Sequence, residues 1–360
     1  MSARSGADRS PARAGVAERA ERAERLVAHV RRFRGRRIVV LGDLVADEFV
    51  HGDIARISRE APVMILEHRK TVCAPGGAGN AAANLRDLGA EPLPVGVVGR
   101  DSAGRGLLDE LRRRAIQRSG ILVLPDYETP CKSRIIAGGV HTRRQQLVRV
   151  DRGQPRGDLP AATRAALAAR LRAQLKHAAG LLIADYGYGA ATPDRVARWL
   201  PVLRRRSVPV LVDSRERTLL YRGATACTPN QEELERSMRR PSLATNAAVE
   251  AAARGLLRAT GNTAVLVTRG ARGMSLFPRG GAALHLPAFG SDEVADVTGA
   301  GDTVIAVFSL ALLAGADFAD AARLSNYAAG LVVMKAGTAT VEPDELVAAI
   351  RDDLRPERRR

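Results

Sequence analysis

The chain has 360 residues, 46% hydrophobic and 26% charged, which are the proportions of a globular protein with room for one large core or two modest ones. Its formal charge of +17 suggests nucleic acid, but only four of its 56 basic residues are Lys. Such an Arg excess beside abundant Ala and Gly is what a GC-rich coding sequence produces, and eleven Arg fall within residues 1–37 alone, so nucleic-acid binding is not the expected role. Cys73, Cys131 and Cys227 lie far apart without metal-ligand spacing and read as thiols of a reducing compartment. The N-terminus lacks the apolar core of a secretory signal, and the most apolar stretch, 303–313, is too short to span a bilayer. The expected location is the cytoplasm, with no membrane partner.

In chain order, residues 1–16 are Ser-, Ala-, Pro- and Arg-rich and predict disorder, and Val16 to Phe33 predicts a helix. Residues 1–33 thus form a basic extension before a single domain over 34–355, with a basic tail at 356–360. The first strand, Arg37–Leu41, ends at Gly42-Asp43, and an acid at that end of an early strand points toward the ligand crevice of an α/β sheet. Segments 48–57 and 62–69, and later 131–137 and 145–151, alternate partially. They predict two hairpins of a small half-exposed antiparallel lid, spanning about 47–70 and 130–151.

Between them, Pro75-Gly76-Gly77-Ala78-Gly79-Asn80 opens a helical run from Ala81 to Leu88. Gly77, Gly79 and Ala82 fit G-x-G-x-x-A, but they follow a lid-like segment, where a dinucleotide fingerprint has no first βα unit to sit on. From Glu91 onward, strands near 93–98, 121–124, 180–185, 208–213, 224–227, 263–268 and 273–277 alternate with helices. Those helices lie near 103–117, 160–177, 193–205, 246–259, 300–314, 319–334 and 343–354. This is the pattern of an α/β fold, a mostly parallel sheet covered on both faces. Polar residues Asp43, Asp185, Asp213, Asn230 and Thr268 terminate its strands along one edge.

The run Asp296-Val-Thr-Gly-Ala-Gly-Asp302 leads directly into the apolar segment 303–313. Small residues Gly299, Ala300 and Gly301 allow close backbone approach, and a helix N-terminus attracts an anion. Asp302 at this turn is either a helix cap or a base beside a bound phosphate.

Four of these elements occur in an order that resembles the ribokinase-like (phosphofructokinase-B) carbohydrate kinases: Gly42-Asp43, Gly76-Gly77…Asn80, Thr228-Pro-Asn230-x-x-Glu233 and Gly299-Ala-Gly-Asp302. The strings 52–63, 144–151, Ala184-Asp-Tyr-Gly187 and 296–305 are most similar to bacterial heptose-7-phosphate kinases of ADP-heptose synthesis, here the kinase without the adenylyltransferase domain. The resemblance implies ATP and Mg²⁺, and transfer to the anomeric O1 of D-glycero-D-manno-heptose 7-phosphate. It implies Asp302 as base, with Gly299, Ala300 and Gly301 as the anion hole. Asp43, Gly76, Gly77, Asn80 and Asp185 would hold the sugar, and Lys132, Arg134 and Arg149 its phosphate. Asn230 and Glu233 would organise the metal. Asn230, Thr268, Gly270, Gly273, Asn326 and Gly330 would surround the nucleotide, and lids would pair in a homodimer. Two departures stand out: Tyr188 and Arg215 occupy positions where these kinases carry Lys. The alternatives are a kinase of this family for another sugar or sugar phosphate, and a basic nucleic-acid-associated protein with a kinase fold.

Overall fold

A computed structural model describes residues 11–138, 145–153, 158–290 and 295–355. The predictions for residues 1–10 and 356–360 lie outside the described residues. The chain begins with α1 (Pro11–Arg31), which starts five residues before the predicted Val16, so residues 11–16 are helical where disorder was expected. Strand β1 (Arg37–Gly42) follows and runs through the interior of the main sheet. Its residues alternate between two cores: Ile38 and Val40 pack on one face, Val39 and Leu41 on the other. A strand covered on both sides is apolar at every position, which is why this one reads as a continuous hydrophobic run.

Then come β2 (Leu44–Ile57), β3 (Met64–Gly77), α2 (Ala78–Asp87), β4 (Glu91–Gly99), α3 (Ser102–Arg113) and β5 (Ile121–Leu124). They are followed by β6 (Cys131–Gly138), β7 (Gln145–Arg152), α4 (Ala161–Leu175) and β8 (Gly180–Asp185). The predicted helix 193–205 divides into α5 (Pro193–Ala197) and α6 (Leu200–Arg205). Pro201 causes this, since proline lacks an N–H and is tolerated only in a first helical turn. Next are β9 (Val210–Ser214), β10 (Ala226–Cys227), α7 (Gln231–Ser237) and α8 (Asn246–Thr260). The chain continues through β11 (Ala264–Thr268), β12 (Met274–Pro278) and β13 (Leu284–Leu286). It closes with α9 (Ala300–Leu313), α10 (Phe318–Val333) and α11 (Pro343–Asp353). Neither α7 nor β13 was predicted; both are short.

Among the described residues the main sheet runs β13-β12-β11-β10-β9-β8-β1-β4-β5, parallel except at the β11–β12–β13 edge. Helices α1, α2, α9, α10 and α11 cover one face, and α4 to α8 the other. Helix α9 is buried almost all round, as its uninterrupted apolar sequence requires. The lid is a second sheet of order β3-β2-β6-β7. Each hairpin is antiparallel as expected, while β2 and β6 join the two hairpins in parallel, with Asp47 opposite Lys132. Strand β3 is longer than predicted and runs through Gly76-Gly77 directly into α2.

Candidate active site

Helix α9 begins at Gly299, whose φ of 82° places it in the left-handed region. A side chain there would also stand 2.4 Å from Nδ2 of Asn80, so glycine is required twice over. A Cβ on Gly301 would meet no protein atom within 4 Å. That open space belongs to a cavity of about 280 Å³ lined by Gly299, Gly301 and Asp302 on one side. Lid residues Asp47, Gly77, Lys132 and Arg134 and strand-end residues Tyr186, Asp213, Arg215, Thr228, Asn230, Glu233 and Thr268 also line it.

Asp302 is not the helix cap. The cap residue is Gly299, and the Asp302 carboxylate turns away from the helix's own N–H groups. Oδ1 accepts from the hydroxyl of Tyr186 at 2.7 Å and Oδ2 from Nδ2 of Asn80 at 2.9 Å. Burial pushes its pKa up to about 6, against the lowering effect of those two hydrogen bonds. Asp213 is raised well above the usual carboxylate range, by burial first and then by the charges of Glu233 and Asp302. Glu233 is also raised, chiefly by burial.

Several predicted residues are placed elsewhere. Asp43 does not reach the cavity: its carboxylate accepts from the backbone N–H groups of Tyr186, Tyr188 and Ala190 at 2.8, 3.0 and 2.8 Å. It is a buried brace for the loop after β8. Asp185 is likewise consumed internally, by Arg217, Ser214 Oγ, Tyr221 Oη and the N–H of Gly187. Asn80 stands behind Asp302, its amide nitrogen donating to that carboxylate and its side-chain carbonyl oxygen accepting from Asn84 at 3.3 Å. Gly76 leaves room for the Asp47 carboxylate, not for a ligand, while Gly77 does line the cavity. Ala300 forms the first residue of α9 without lining the cavity.

On the lid, Arg134 spends its charge on Asp47, Nη1 to Oδ1 at 2.6 Å, and lies over the Phe49 ring. Exposed Arg149 pairs with Asp151. Lys132 has no carboxylate within 4 Å among the described residues, and burial followed by the charge of Arg215 lowers its pKa. Arg215 stacks 4.4 Å from the centroid of the Tyr186 ring and likewise has no acid partner among the described residues. Tyr188 is not among the residues that line the cavity, although Arg215 and the lid's Asp151 and Arg149 act on its hydroxyl through space.

Of the nucleotide candidates, Asn230 and Thr268 line the cavity and are bridged as parallel neighbours. Gly270, Gly273, Asn326 and Gly330 do not. Gly273 and Gly330 are packed against the backbone of Leu286–Phe289, and Asn326 donates to the carbonyl of Pro287. Asn230 and Glu233 form a capping box at the start of α7, each side chain accepting from the other's backbone N–H. The second oxygen of Glu233 has no bond within that box, and the carboxylate of Asp213 stands nearby. That donor set fits Mg²⁺, which binds one or two carboxylates and keeps its waters and phosphate ligands, though no cluster of three or more metal-ligating side chains exists among the described residues. Sequence reasoning missed Asp47 and Tyr186. The acid in a buried strand and the tyrosine following Asp185 were visible, but the register that aims them was not.

A cavity at the carboxyl edge of a parallel sheet, beside a glycine-started helix and walled by acids and unpaired cations, defines a phosphate-handling α/β enzyme. The chain belongs to the pfkB family of carbohydrate kinases, whose model matches residues 36–345. It is therefore an ATP-dependent sugar kinase. The chain is 40% identical over 328 residues to the bifunctional protein HldE of Geobacter metallireducens, covering 91% of this chain and 65% of the relative. It is 41% identical over 318 residues to HldE of a Caulobacter species, covering 88% and 63%. The chain thus spans just under two thirds of the length of these relatives. Its fold is similar to that of Arabidopsis thaliana ribokinase complexed with ribose and ATP, with a TM-score of 0.66 at 18% identity over 88% of this chain and 99% of that one. Escherichia coli phosphofructokinase-2 with substrates and products gives a TM-score of 0.70 at 17% identity, over 88% and 99%. Among the described residues no helix is long and apolar enough to cross a membrane.

Proposed function

We propose that the chain transfers the γ-phosphoryl group of ATP to the anomeric O1 of D-glycero-D-manno-heptose 7-phosphate, giving the 1,7-bisphosphate. The observation that carries the reaction type is the Asp302 carboxylate, freed from capping and held at the mouth of α9. Asp302 takes the proton from O1 as that oxygen forms its bond to the γ-phosphorus. The bond from phosphorus to the bridging oxygen breaks, and ADP leaves. The N-terminal N–H groups of α9 at Gly299 and Gly301 face the negative charge that spreads over the phosphoryl oxygens. Asn230 and Glu233 would hold Mg²⁺, which when bound neutralises charge on the phosphates.

The heptose phosphate is favoured by the sequence strings shared with heptose kinases and by two cations in the cavity, Lys132 and Arg215, that lack a carboxylate partner among the described residues. Arg215 then carries the charge that Tyr188 does not. The kinase acts in the cytoplasm, as a homodimer paired through its lids. Ile57, Val63, Met64, Val72, Val148 and Val150 expose apolar surface on lid strands and the turn between them, which supports that pairing. The test is ADP release with a panel of sugars and their phosphates. The reading requires heptose 7-phosphate to give the highest kcat/KM; a hexose or pentose, or its phosphate, exceeding it would contradict the substrate.

A further inference from the structure

The tyrosine after Asp185 has no role in the reaction as described so far, yet its hydroxyl is bonded directly to the carboxylate on which that reaction turns. Tyr186 lines the cavity, and its Oη lies 2.7 Å from Oδ1 of Asp302. Asn80, on α2, reaches Oδ2 from another direction at 2.9 Å. A carboxylate with a donor on each oxygen cannot rotate about its Cβ–Cγ bond without breaking one of them. Each oxygen still has capacity for a further hydrogen bond, so an acceptor hydroxyl can approach.

The tyrosine is itself held. Its N–H donates to buried Asp43 at 2.8 Å, and Asp43 also fixes Tyr188 and Ala190, so the loop cannot drift. The guanidinium of Arg215 lies over the ring at 4.4 Å from its centroid, close enough for a cation–π contact. A positive charge over the ring makes the phenol a stronger donor to a carboxylate.

We propose that Tyr186 is a positioning residue for the catalytic base, its hydroxyl and the Asn80 amide together presenting Asp302 to the acceptor hydroxyl in one fixed orientation. The inference rests on the reading of Asp302 as the base. It accounts for Asp43 as well, an acid buried at a strand end that touches no part of the cavity yet anchors the residue that orients the base.

The groups that face Asp302 set the sign of the pH response. Tyr186 and Asn80 stabilise the ionised carboxylate, and Arg215, after β9, does the same through space. Asp47 on the lid strand β2 opposes it, while Asp213 of β9 is itself held toward its neutral form, by burial first and in part by the charge of Asp302. The tyrosine hydroxyl bonds the ionised carboxylate more strongly than the neutral acid, so removing it must move the acid limb of activity to higher pH.

The experiment is Tyr186→Phe, which keeps the ring beneath Arg215 and deletes the hydroxyl. The expected result is a fall in kcat of about 10- to 100-fold with KM for ATP and acceptor little changed, the pattern of a misaligned catalytic group. The acid limb of kcat/KM should rise by about one pH unit, the size expected for one hydrogen bond to a charged group. Unchanged kcat and an unmoved acid limb, or faster turnover, would overturn the proposal. If the variant does not fold, 3-fluorotyrosine placed at 186 strengthens the donor without altering packing. The limb should then move to lower pH, and an unmoved limb counts against the role. Asp302→Asn run in parallel separates the two levels. Near-normal turnover there would remove the base itself, whereas a slow Asp302→Asn beside an unaltered Tyr186→Phe would remove only the positioning role.

Discussion

As the proposed base, Asp302 combines two demands that pull against each other, since it must ionise near neutral pH and yet is itself buried. Burial raises its pKa to about 6, where the hydrogen bonds from Tyr186 and Asn80 stop the rise. The base accepts a proton only when ionised, so kcat/KM should be near its maximum above that value and fall as pH drops through it. A pH profile with its acid limb near 6 is the expected result; a limb at the ordinary aspartate value would mean that another group accepts the proton. The Gly-Ala-Gly-Asp turn was legible because small residues before an apolar run carry a physical meaning on their own. Asp47 was not. Read along the chain, Asp43 at the end of β1 is the natural site acid, but the backbone N–H groups of the loop after β8 absorb it, and the acid that reaches the cavity comes four residues later than Asp43, on β2.

At the scale of elements, α9 joins the chemistry to the core. Its first turn forms the cavity wall, and the rest of the helix is packed between α2, α10 and the sheet. Phe308 is fully buried on it and stacks near Phe318 of α10, with ring centroids 6.3 Å apart. Phe308→Ala should destabilise the fold by about 3–5 kcal/mol, the usual range for a large aromatic lost from a core. Urea titration would check this, and a cost under about 1 kcal/mol would mean that the helix is not anchored there. The sheet and the long helices were readable from alternation and apolar periodicity. The break at Pro201 and the short α7 were not, because a few residues give too little period to read, although the Asn230…Glu233 spacing that starts α7 was plain.

Across the whole molecule, the lid supplies Asp47, Lys132 and Arg134 to the cavity from one face and exposes Val148 and Val150 on the other. Covering those side chains with a second copy would make lid position, and so water exclusion, depend on assembly. Val150→Glu on β7 should convert a dimer into monomers in sedimentation velocity and raise KM for the acceptor more than for ATP. A wild-type chain that sediments as a monomer at micromolar concentration would contradict lid pairing. In the proposed reaction this cavity moves a phosphoryl group from ATP to heptose 7-phosphate with Asp302 as base. Its most direct test is ADP release by wild type and Asp302→Asn with that sugar phosphate as acceptor. The predicted result is robust turnover by the wild type and a loss of at least about 100-fold in the variant with ATP binding retained, the lower end for a missing general base. A variant that turns over at nearly the wild-type rate would contradict it.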